Sequence, residues 1–356
     1  VATDGSRLVV GGACNRMFIT ANRDPVFCVS RHLANGQLDP SFGTSGVVFT
    51  SIGSTDADAG IHAVAVQSDR KIVATGFCYS TATGVDVLCA ARYNIDGSLD
   101  SSFANGGRWI SSIELIDSSI ALQNDGKIVV GGSCVLGTPR RTEFCAARLL
   151  SSGSLDTEFG NNGIVTTSIG VADALARQVR LQADGRIVLA GECWGSQSAR
   201  LFCAARYQSN GALDTSFDSD GKVLVQVDQS SDSASAVAIQ TNGKIVLAGV
   251  CINAASQSRY CVARLNADGQ IDPGFGIGGK RVIAHPAATG FGHGAENVHI
   301  NADGTVLLTG YCRPAAIQTA CAFRLTAAGS LDDEYGDQGV ASHWAMISTA
   351  PSIRSE

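Results

Sequence analysis

The sequence predicts an all-β fold, a six-bladed β-propeller whose blades are four-stranded antiparallel sheets with one disulfide each. Three observations predict this fold. A unit of about 60 residues is repeated six times, each unit carries two cysteines, and no long segment has a helical period. Repeats of this length are typical of supersecondary units that bury their hydrophobic faces against their neighbours.

The repeat is clearest in a short motif that reads CVSRH, CAARY, CAARL, CAARY, CVARL and CAFRL along the chain. Its arginine is followed eight residues later by an aspartate in every unit. The six pairs are Arg31 and Asp39, Arg92 and Asp100, Arg148 and Asp156, Arg206 and Asp214, Arg264 and Asp272, and Arg324 and Asp332. A ring of arginines could bind an anion in a central channel. Because each arginine has its own aspartate, we instead predict a repeated ion pair that braces a turn.

The second unit shows the predicted elements in order. Strand a alternates apolar and polar residues, an Asp-containing turn follows, strand b ends on Cys78, and strand c carries the arginine motif. A second tight turn and the Leu-Asp segment lead to strand d. The predicted strands are residues 62–67, 71–77, 87–93 and 108–113, and the loop to the next unit begins near Asp117. Four short strands per unit, repeated radially, form a propeller blade.

The whole chain is predicted to be one domain. The predicted blades are residues 1–52, 60–113, 117–170, 174–228, 234–284 and 295–348, with a tail at 349–356. A linear stack of repeats is the alternative, but such stacks carry capping units at both ends. The chain starts at Val1 within a repeat, so we expect a region that precedes it.

The twelve cysteines fall two to a unit, one at the end of strand b and one in strand c. The pairs are Cys14 and Cys28, Cys78 and Cys89, Cys134 and Cys145, Cys193 and Cys203, Cys251 and Cys261, and Cys312 and Cys321. No tight Cys-x-x-Cys motif favours zinc, and free buried thiols are the other alternative. We predict six local disulfides, each worth roughly 2.5–3 kcal/mol, and an oxidising compartment, extracellular or periplasmic.

The turn after strand c carries a family resemblance. It reads LDPSFGTSG, LDSSFANGG and LDTEFGNNG in the first three units, and a DGKIVVGG segment precedes strand c in the third. Together these motifs resemble the delta-60 repeat, a bacterial family expected to form secreted β-propellers. The resemblance implies no catalytic activity and no site residues. The sixth unit departs from the pattern, with Tyr335 in place of phenylalanine and a longer loop around residues 285–296.

Composition and motifs exclude several classes of function. The net charge is −6, which argues against binding to nucleic acid or to an anionic membrane. No apolar run is long enough for a membrane helix. Nucleophile and phosphate-loop motifs are missing, so no cofactor is predicted. His285, His293 and His299 leave a metal site in the sixth unit open, but their spacing does not favour one.

Variation in length is concentrated in the loops between strands b and c. These loops and their flanks carry arginine and aromatic residues, which are enriched at interaction surfaces. The candidate binding face comprises Arg16, Arg23, Phe27, Arg140, Arg141, Phe144, Trp194, Arg200, Phe202, Arg259, Tyr260 and Arg313. The alternative is that aspartates of the neighbouring d–a loops neutralise these arginines.

The sequence therefore predicts a secreted, non-enzymatic propeller that acts as a protein-interaction or self-assembly module at a bacterial cell surface. A glycan- or small-ligand-binding propeller that uses the face described above is the first alternative. A hydrolase or lyase is the second. No nucleic acid or membrane-inserted partner is expected.

Overall fold

A computed structural model describes residues 1–15, 25–53, 58–196, 199–228, 230–284, 293–313 and 319–343. These residues form strands and turns, with no α-helix among them. The strands, in chain order from β1 to β23, are Ala2–Asp4, Arg7–Asn15, Pro25–His32, Val47–Thr50, Ala59–Val66, Ile72–Ser80, Val85–Tyr93, Arg108–Leu122, Ile128–Leu136, Arg141–Leu149, Ile164–Thr167, Ala174–Leu181, Ile187–Trp194, Arg200–Tyr207, Lys222–Val225, Ser231–Ile239, Ile245–Ile252, Ser258–Leu265, Lys280–Ile283, Gly294–Ile300, Val306–Cys312, Thr319–Leu325 and Val340–His343.

The strands form five antiparallel sheets. Four have four strands each, in the orders β1-β2-β3-β4, β12-β13-β14-β15, β16-β17-β18-β19 and β20-β21-β22-β23. The fifth sheet has seven strands, β5 to β11, and contains the second and third repeats. The predicted all-β architecture of antiparallel repeats is confirmed.

One predicted boundary is wrong. The sequence predicted a break between residues 113 and 117, but β8 runs without interruption from Arg108 to Leu122. Its first half pairs with β7 and its second half with β9, so one strand serves both repeats. The segment contains no glycine or proline to end the strand, which is why the chain passes from one repeat to the next in an extended conformation.

All six predicted disulfides are present. Each joins strand b to strand c of the same repeat, with Cα–Cα distances of 5.5–5.9 Å. The two cysteines lie diagonally across the strand pair, since Cys134 is opposite Glu143 and Cys145 is opposite Gly132. Six disulfides indicate an oxidising compartment. Within the described residues, no helix could cross a membrane.

The chain divides into two compact units. One comprises residues 1–168, 173–189 and 207–212, and the other comprises residues 169–172, 190–206 and 213–356. The first unit has a core around Phe27, Phe42 and Tyr93 and another around Phe103 and Leu149. The second has a core around Tyr260, Phe275 and Phe323. Both faces of the middle strands are buried, as expected where sheets stack on each other.

Successive repeats are joined by backbone hydrogen bonds between their tight turns. In the second repeat, the aromatic residue of the Leu-Asp turn is Phe103. The N–H of the next residue, Ala104, donates to the Ser152 carbonyl in the turn of the third repeat, at 2.7 Å. Gly153 follows that carbonyl in the turn with φ +85°, and a Cβ built on it would lie 2.7 Å from the Ala104 nitrogen. The contact therefore needs glycine both for its backbone conformation and for its lack of a side chain.

We expect Gly153→Ala to destabilise the protein by about 2–4 kcal/mol, from left-handed backbone strain and a clash with the neighbouring turn. Gly126→Ala is the matched control. Gly126 has φ +82°, but its nearest neighbour to an added Cβ is Ser151 at 3.5 Å, so only the strain of about 1 kcal/mol applies. Denaturant unfolding of the oxidised variants measures the difference. Equal losses would show that the close contact does not contribute.

Candidate functional site

A pocket of about 560 Å³ lies in the second repeat, beside the point where β8 passes without a loop into the third. We call it the β5–β8 pocket. Its lining residues come from β5, β6, β7, β8 and the turn between β6 and β7: His62, Phe77, Tyr79, Gly84, Val85, Asp86, Glu114, Leu115 and Ile116. Its volume is within the range of roughly 300–1,000 Å³ that small-molecule sites occupy.

Irregular strand pairing turns these side chains toward the pocket. His62 is the extra residue of a bulge in β5, because Ile61 pairs with Gly76 and Ala63 with Thr75. The β7–β8 pairing also shifts, between Val87 opposite Glu114 and Cys89 opposite Ile110. Such bulges redirect side chains and are common next to functional sites.

One wall of the pocket is aromatic. The rings of His62 and Phe77 pack against each other, with centroids 5.4 Å apart and an angle of 37° between their planes. Tyr79 lies two residues beyond Phe77 on β6, and both are half-buried. Partly exposed rings of this kind offer a flat apolar surface, and the tyrosine adds a polar end.

Carboxylates line the pocket next to these rings. Asp86 is opposite Tyr79 across the β6–β7 pair, and Glu114 is opposite the next residue of β7. Desolvation raises the pKa of Asp86, and the neighbouring carboxylates Asp58 and Glu114 raise it further. Glu114 accepts a hydrogen bond from the guanidinium of Arg140. The pocket thus combines an ion-paired carboxylate with a carboxyl group that binds its proton more tightly than usual.

A second set of polar contacts extends from His62 along the neighbouring strands. The Ser118 hydroxyl lies 3.4 Å from Nδ1 of His62. The carboxylate of the preceding residue, Asp117, accepts a hydrogen bond from the guanidinium of Arg177 on β12. Desolvation lowers the pKa of His62, while Asp117 acts in the opposite direction. The imidazole is therefore neutral near pH 7 and can exchange hydrogen bonds with an uncharged ligand. Within the described ranges, no group of three His, Cys, Asp or Glu residues could hold a metal ion.

The arginines and aspartates of the repeat lie away from this pocket, at the turns. In all six repeats the arginine Nε lies 2.5–2.9 Å from the aspartate Oδ2. Each guanidinium also stacks on an aromatic ring of the following turn, at 4.5–4.9 Å from its centroid. In the second repeat, Arg92 also donates to the Ser151 carbonyl of the third repeat at 2.6 Å. Such an arginine is used within the structure and is not available to a ligand.

In several repeats, a lysine also lies beside the aspartate of the Arg–Asp pair. Lys71 lies 2.9 Å from Asp100, and Lys127 lies 3.2 Å from Asp156. In the first repeat, the Ser41 hydroxyl and N–H, together with Arg31, lower the pKa of Asp39 to about 2. Asp39 is therefore ionised at neutral and mildly acidic pH.

The candidate binding face predicted from the sequence needs correction in its aromatic part. Phe27, Phe144, Phe202 and Tyr260 are fully buried, with no exposed surface. Each of these residues directly precedes the cysteine of strand c. Both faces of strand c are buried, so side chains on either face belong to the core. Arg16 and Arg23 lie outside the described residues. Trp194 is partly exposed.

The remaining arginines of the predicted face have local partners. Arg140 pairs with Glu114, and Arg259 lies 3.9 Å from Asp228. Arg141 lies near the Asp173 carboxylate and contributes to its lowered pKa, after the hydrogen bonds from Thr142. Arg200 stacks on Trp194 at 4.7 Å and lies 3.3 Å from the buried Glu192. Arg313 is exposed, and its backbone N–H donates to Nδ1 of His293.

Of the histidines in the sixth repeat, His293 and His299 lie in the described residues, and neither belongs to a group there that could hold a metal ion. His285 falls outside the described residues. His293 is buried and accepts the Arg313 N–H through Nδ1 at 3.0 Å. His299 lies on β20, six residues further along the chain.

Comparison with known proteins supports the propeller architecture. A family described as "Domain of unknown function (DUF5122) beta-propeller" matches residues 67–103, 123–159, 182–217 and 240–275. Each matched segment runs from the end of strand a to the turn after strand c. The chain therefore contains four propeller repeats of this kind. No curated protein matches it in sequence.

Several solved structures share the fold. A protein from Lactobacillus plantarum is 12% identical with a TM-score of 0.52, and the alignment covers 93% of this chain and 82% of that one. The polysaccharide lyase Uly1 is 11% identical with a TM-score of 0.49, covering 98% and 81%. An α-L-arabinofuranosidase from Fusarium graminearum is 8% identical with a TM-score of 0.44, covering 85% and 90%.

These structures correct two predictions made from the sequence, namely a non-enzymatic assembly module and the absence of enzymatic activity. Among the similar structures are a polysaccharide lyase, a family-43 glycoside hydrolase and an α-L-arabinofuranosidase, all of them enzymes. At 8–14% identity the likeness concerns the fold. The chemistry of this chain has to be argued from its own residues.

Sequence reasoning missed the β5–β8 pocket, although one signal pointed to it. The spacing from Arg92 to Arg148 is 56 residues, the shortest in the series. The shortening falls between strands d and a, where the structure has no loop. Asp86 and Glu114 lie beside this junction.

Proposed function

We propose that this chain is a carbohydrate-binding β-propeller of an extracellular or periplasmic compartment, and that the β5–β8 pocket receives a sugar unit. One observation carries the proposal: a cavity of about 560 Å³ is lined both by the rings of Phe77 and Tyr79 and by the carboxylates of Asp86 and Glu114. Sugars present C–H faces that pack on rings and hydroxyls that donate to carboxylates.

The charges around the pocket support an uncharged sugar. Asp58, Asp86 and Glu114 are close enough for their carboxylates to influence one another, and they would repel a uronate or sulfated sugar. The nearby guanidiniums of Arg140 and Arg177 already pair with Glu114 and Asp117. A neutral glycoside can bind without displacing either pair.

Two further assignments stay predictions. These are membership of the delta-60 family and the arrangement of all six repeats as blades of one domain. The four matched repeats support both assignments, and the disulfide in every repeat supports the second.

Saturation-transfer NMR with methyl glycosides of glucose, galactose, mannose, xylose, arabinose and N-acetylglucosamine, and with short oligosaccharides of each, tests the binding. We expect at least one series to bind, and Tyr79→Ala to weaken binding at least tenfold, because an aromatic contact is worth about 1.4 kcal/mol. Trp194→Ala is the matched control, since Trp194 follows Cys193 as Tyr79 follows Cys78. The proposal fails if no series binds, or if the two variants weaken binding equally.

A further inference from the structure

We infer that the β5–β8 pocket also hydrolyses the glycosidic bond of the sugar it binds, with Asp86 as proton donor and Glu114 as the carboxylate that activates water. This activity rests on the proposed function. Asp86 and Glu114 lie on adjacent strands, line the same cavity and are close enough for the Glu114 carboxylate to raise the pKa of Asp86. A sugar bound beside Tyr79 would therefore have both carboxyl groups next to it, since Asp86 is the cross-strand neighbour of Tyr79.

The surroundings of the two carboxyl groups give them different roles. Asp86 keeps contact with solvent, but partial desolvation and the nearby carboxylates Asp58 and Glu114 raise its pKa, so that its acid form persists to higher pH. Glu114 is held as an ion pair by Arg140. Two carboxyl groups whose environments differ in this way are the usual acid and base of glycoside cleavage.

The reaction balances without any group from outside the pocket except water. Asp86 gives its proton to the glycosidic oxygen as the bond between that oxygen and C1 breaks, and the aglycone leaves as an alcohol. Glu114 takes a proton from water as the water oxygen bonds to C1. The products are a free sugar and an alcohol, with Asp86 ionised and Glu114 protonated, and exchange with solvent restores both.

The alternative chemistry of elimination fits the pocket less well. A lyase acts on a uronate, whose carboxylate must be neutralised before the adjacent carbon loses its proton. The groups that face Asp86 are Asp58 from the segment before β5, His62 of β5, Tyr79 of β6 and Glu114 of β8. None of these groups supplies a positive charge near pH 7, because His62 is neutral there, and the guanidinium of Arg140 is already paired with Glu114. Hydrolysis of a neutral glycoside is therefore the reaction that the charges favour.

The test uses 4-methylumbelliferyl glycosides of glucose, galactose, mannose, xylose, arabinofuranose and N-acetylglucosamine with the oxidised full chain. We expect release of 4-methylumbelliferone from the glycoside of the sugar that binds. Asp86→Asn and Glu114→Gln should each lower kcat by 10²–10⁴-fold, the range for general acid–base groups. Release should fall as the pH rises through the pKa of Asp86, because its acid form is consumed. Glu158→Gln, an exposed carboxylate at the turn between β10 and β11, should leave the rate unchanged.

The outcomes separate this inference from the proposed function. A sugar that binds in the NMR experiment but is never cleaved would overturn the hydrolysis and leave carbohydrate binding in place. Release by Asp86→Asn at the wild-type rate would also overturn it. Failure of every sugar to bind would remove the basis of both. Asp86 is exposed, so the Asn variant should fold, and its circular dichroism spectrum checks this.

Discussion

Replacing Arg148 with alanine should lower the unfolding midpoint of the oxidised protein by about 4 °C, equivalent to about 3 kcal/mol for a chain of 356 residues. Arg148 is 5% exposed and makes three kinds of contact. Its Nε lies 2.8 Å from Asp156, its guanidinium stacks on Phe159 at 4.5 Å, and it donates to the Ser209 carbonyl of the following repeat. Alanine removes all three contacts at once.

The expected loss of stability in Arg148→Ala depends on the contacts that Asp156 keeps. Asp156 is 3% exposed and would keep Lys127, at 3.2 Å, as a cation. Removing one partner of a buried ion pair typically costs 3–5 kcal/mol. The retained lysine places the expected loss at the lower end of that range.

Arg324→Ala is the matched control for this prediction. Arg324 makes the same Nε contact with Asp332 and stacks on Tyr335, but its side chain is 28% exposed. Its loss should cost about 1 kcal/mol, because solvent already screens the pair. Scanning calorimetry of both variants measures the difference. If the two midpoints fall equally, burial and the link to the next repeat do not set the contribution of these arginines.

The repeat made much of the fold predictable. A fixed spacing of cysteines and arginines identifies equivalent positions, and antiparallel strands place a cysteine that ends strand b close to one in strand c. The sequence therefore indicated the sheets, the disulfide pairs and the Arg–Asp pairing partners. The elements of the second repeat, predicted at 62–67, 71–77, 87–93 and 108–113, overlap β5, β6, β7 and the first half of β8.

The predicted binding face shows where such reasoning stops. Phe144 and Cys145 alternate on β10 and point to opposite faces of the sheet. In an isolated hairpin one of those faces would meet water. Here both faces are covered by neighbouring sheets, so Phe144 is core. Local sequence does not reveal which faces a tertiary arrangement covers.

The β5–β8 pocket was beyond prediction for a related reason. Its chemistry depends on His62, Asp86 and Glu114 converging from three strands, and two of these strands are displaced by bulges. A bulge has no reliable signature in one sequence. Only the short Arg92–Arg148 spacing indicated that this junction differs from the others.

Reducing all six disulfides should lower the unfolding midpoint by about 15–20 °C. Each bridge closes a loop of 9–14 residues, and the chain-entropy term for such a loop is roughly 2.5–3 kcal/mol. Six such terms would equal or exceed the net stability of a typical domain if they added fully, but such terms do not add fully. Calorimetry of the protein kept in reductant measures the shift, and mass spectrometry of a portion that is unfolded and alkylated afterwards counts the reduced cysteines.

Removal of one disulfide tests whether the covalent link is the source of this stabilisation. The double variant Cys134→Ala with Cys145→Ala should lose about 2.5–3 kcal/mol under oxidising conditions, because its unfolded chain is no longer constrained at that loop. Under reducing conditions it should match the reduced wild type, which has already lost the same constraint. Cys134 and Cys145 are both buried, so their side chains also fill space in the core. If the deficit persists in reductant, that packing, and not the covalent link, is what the bridge contributes to stability.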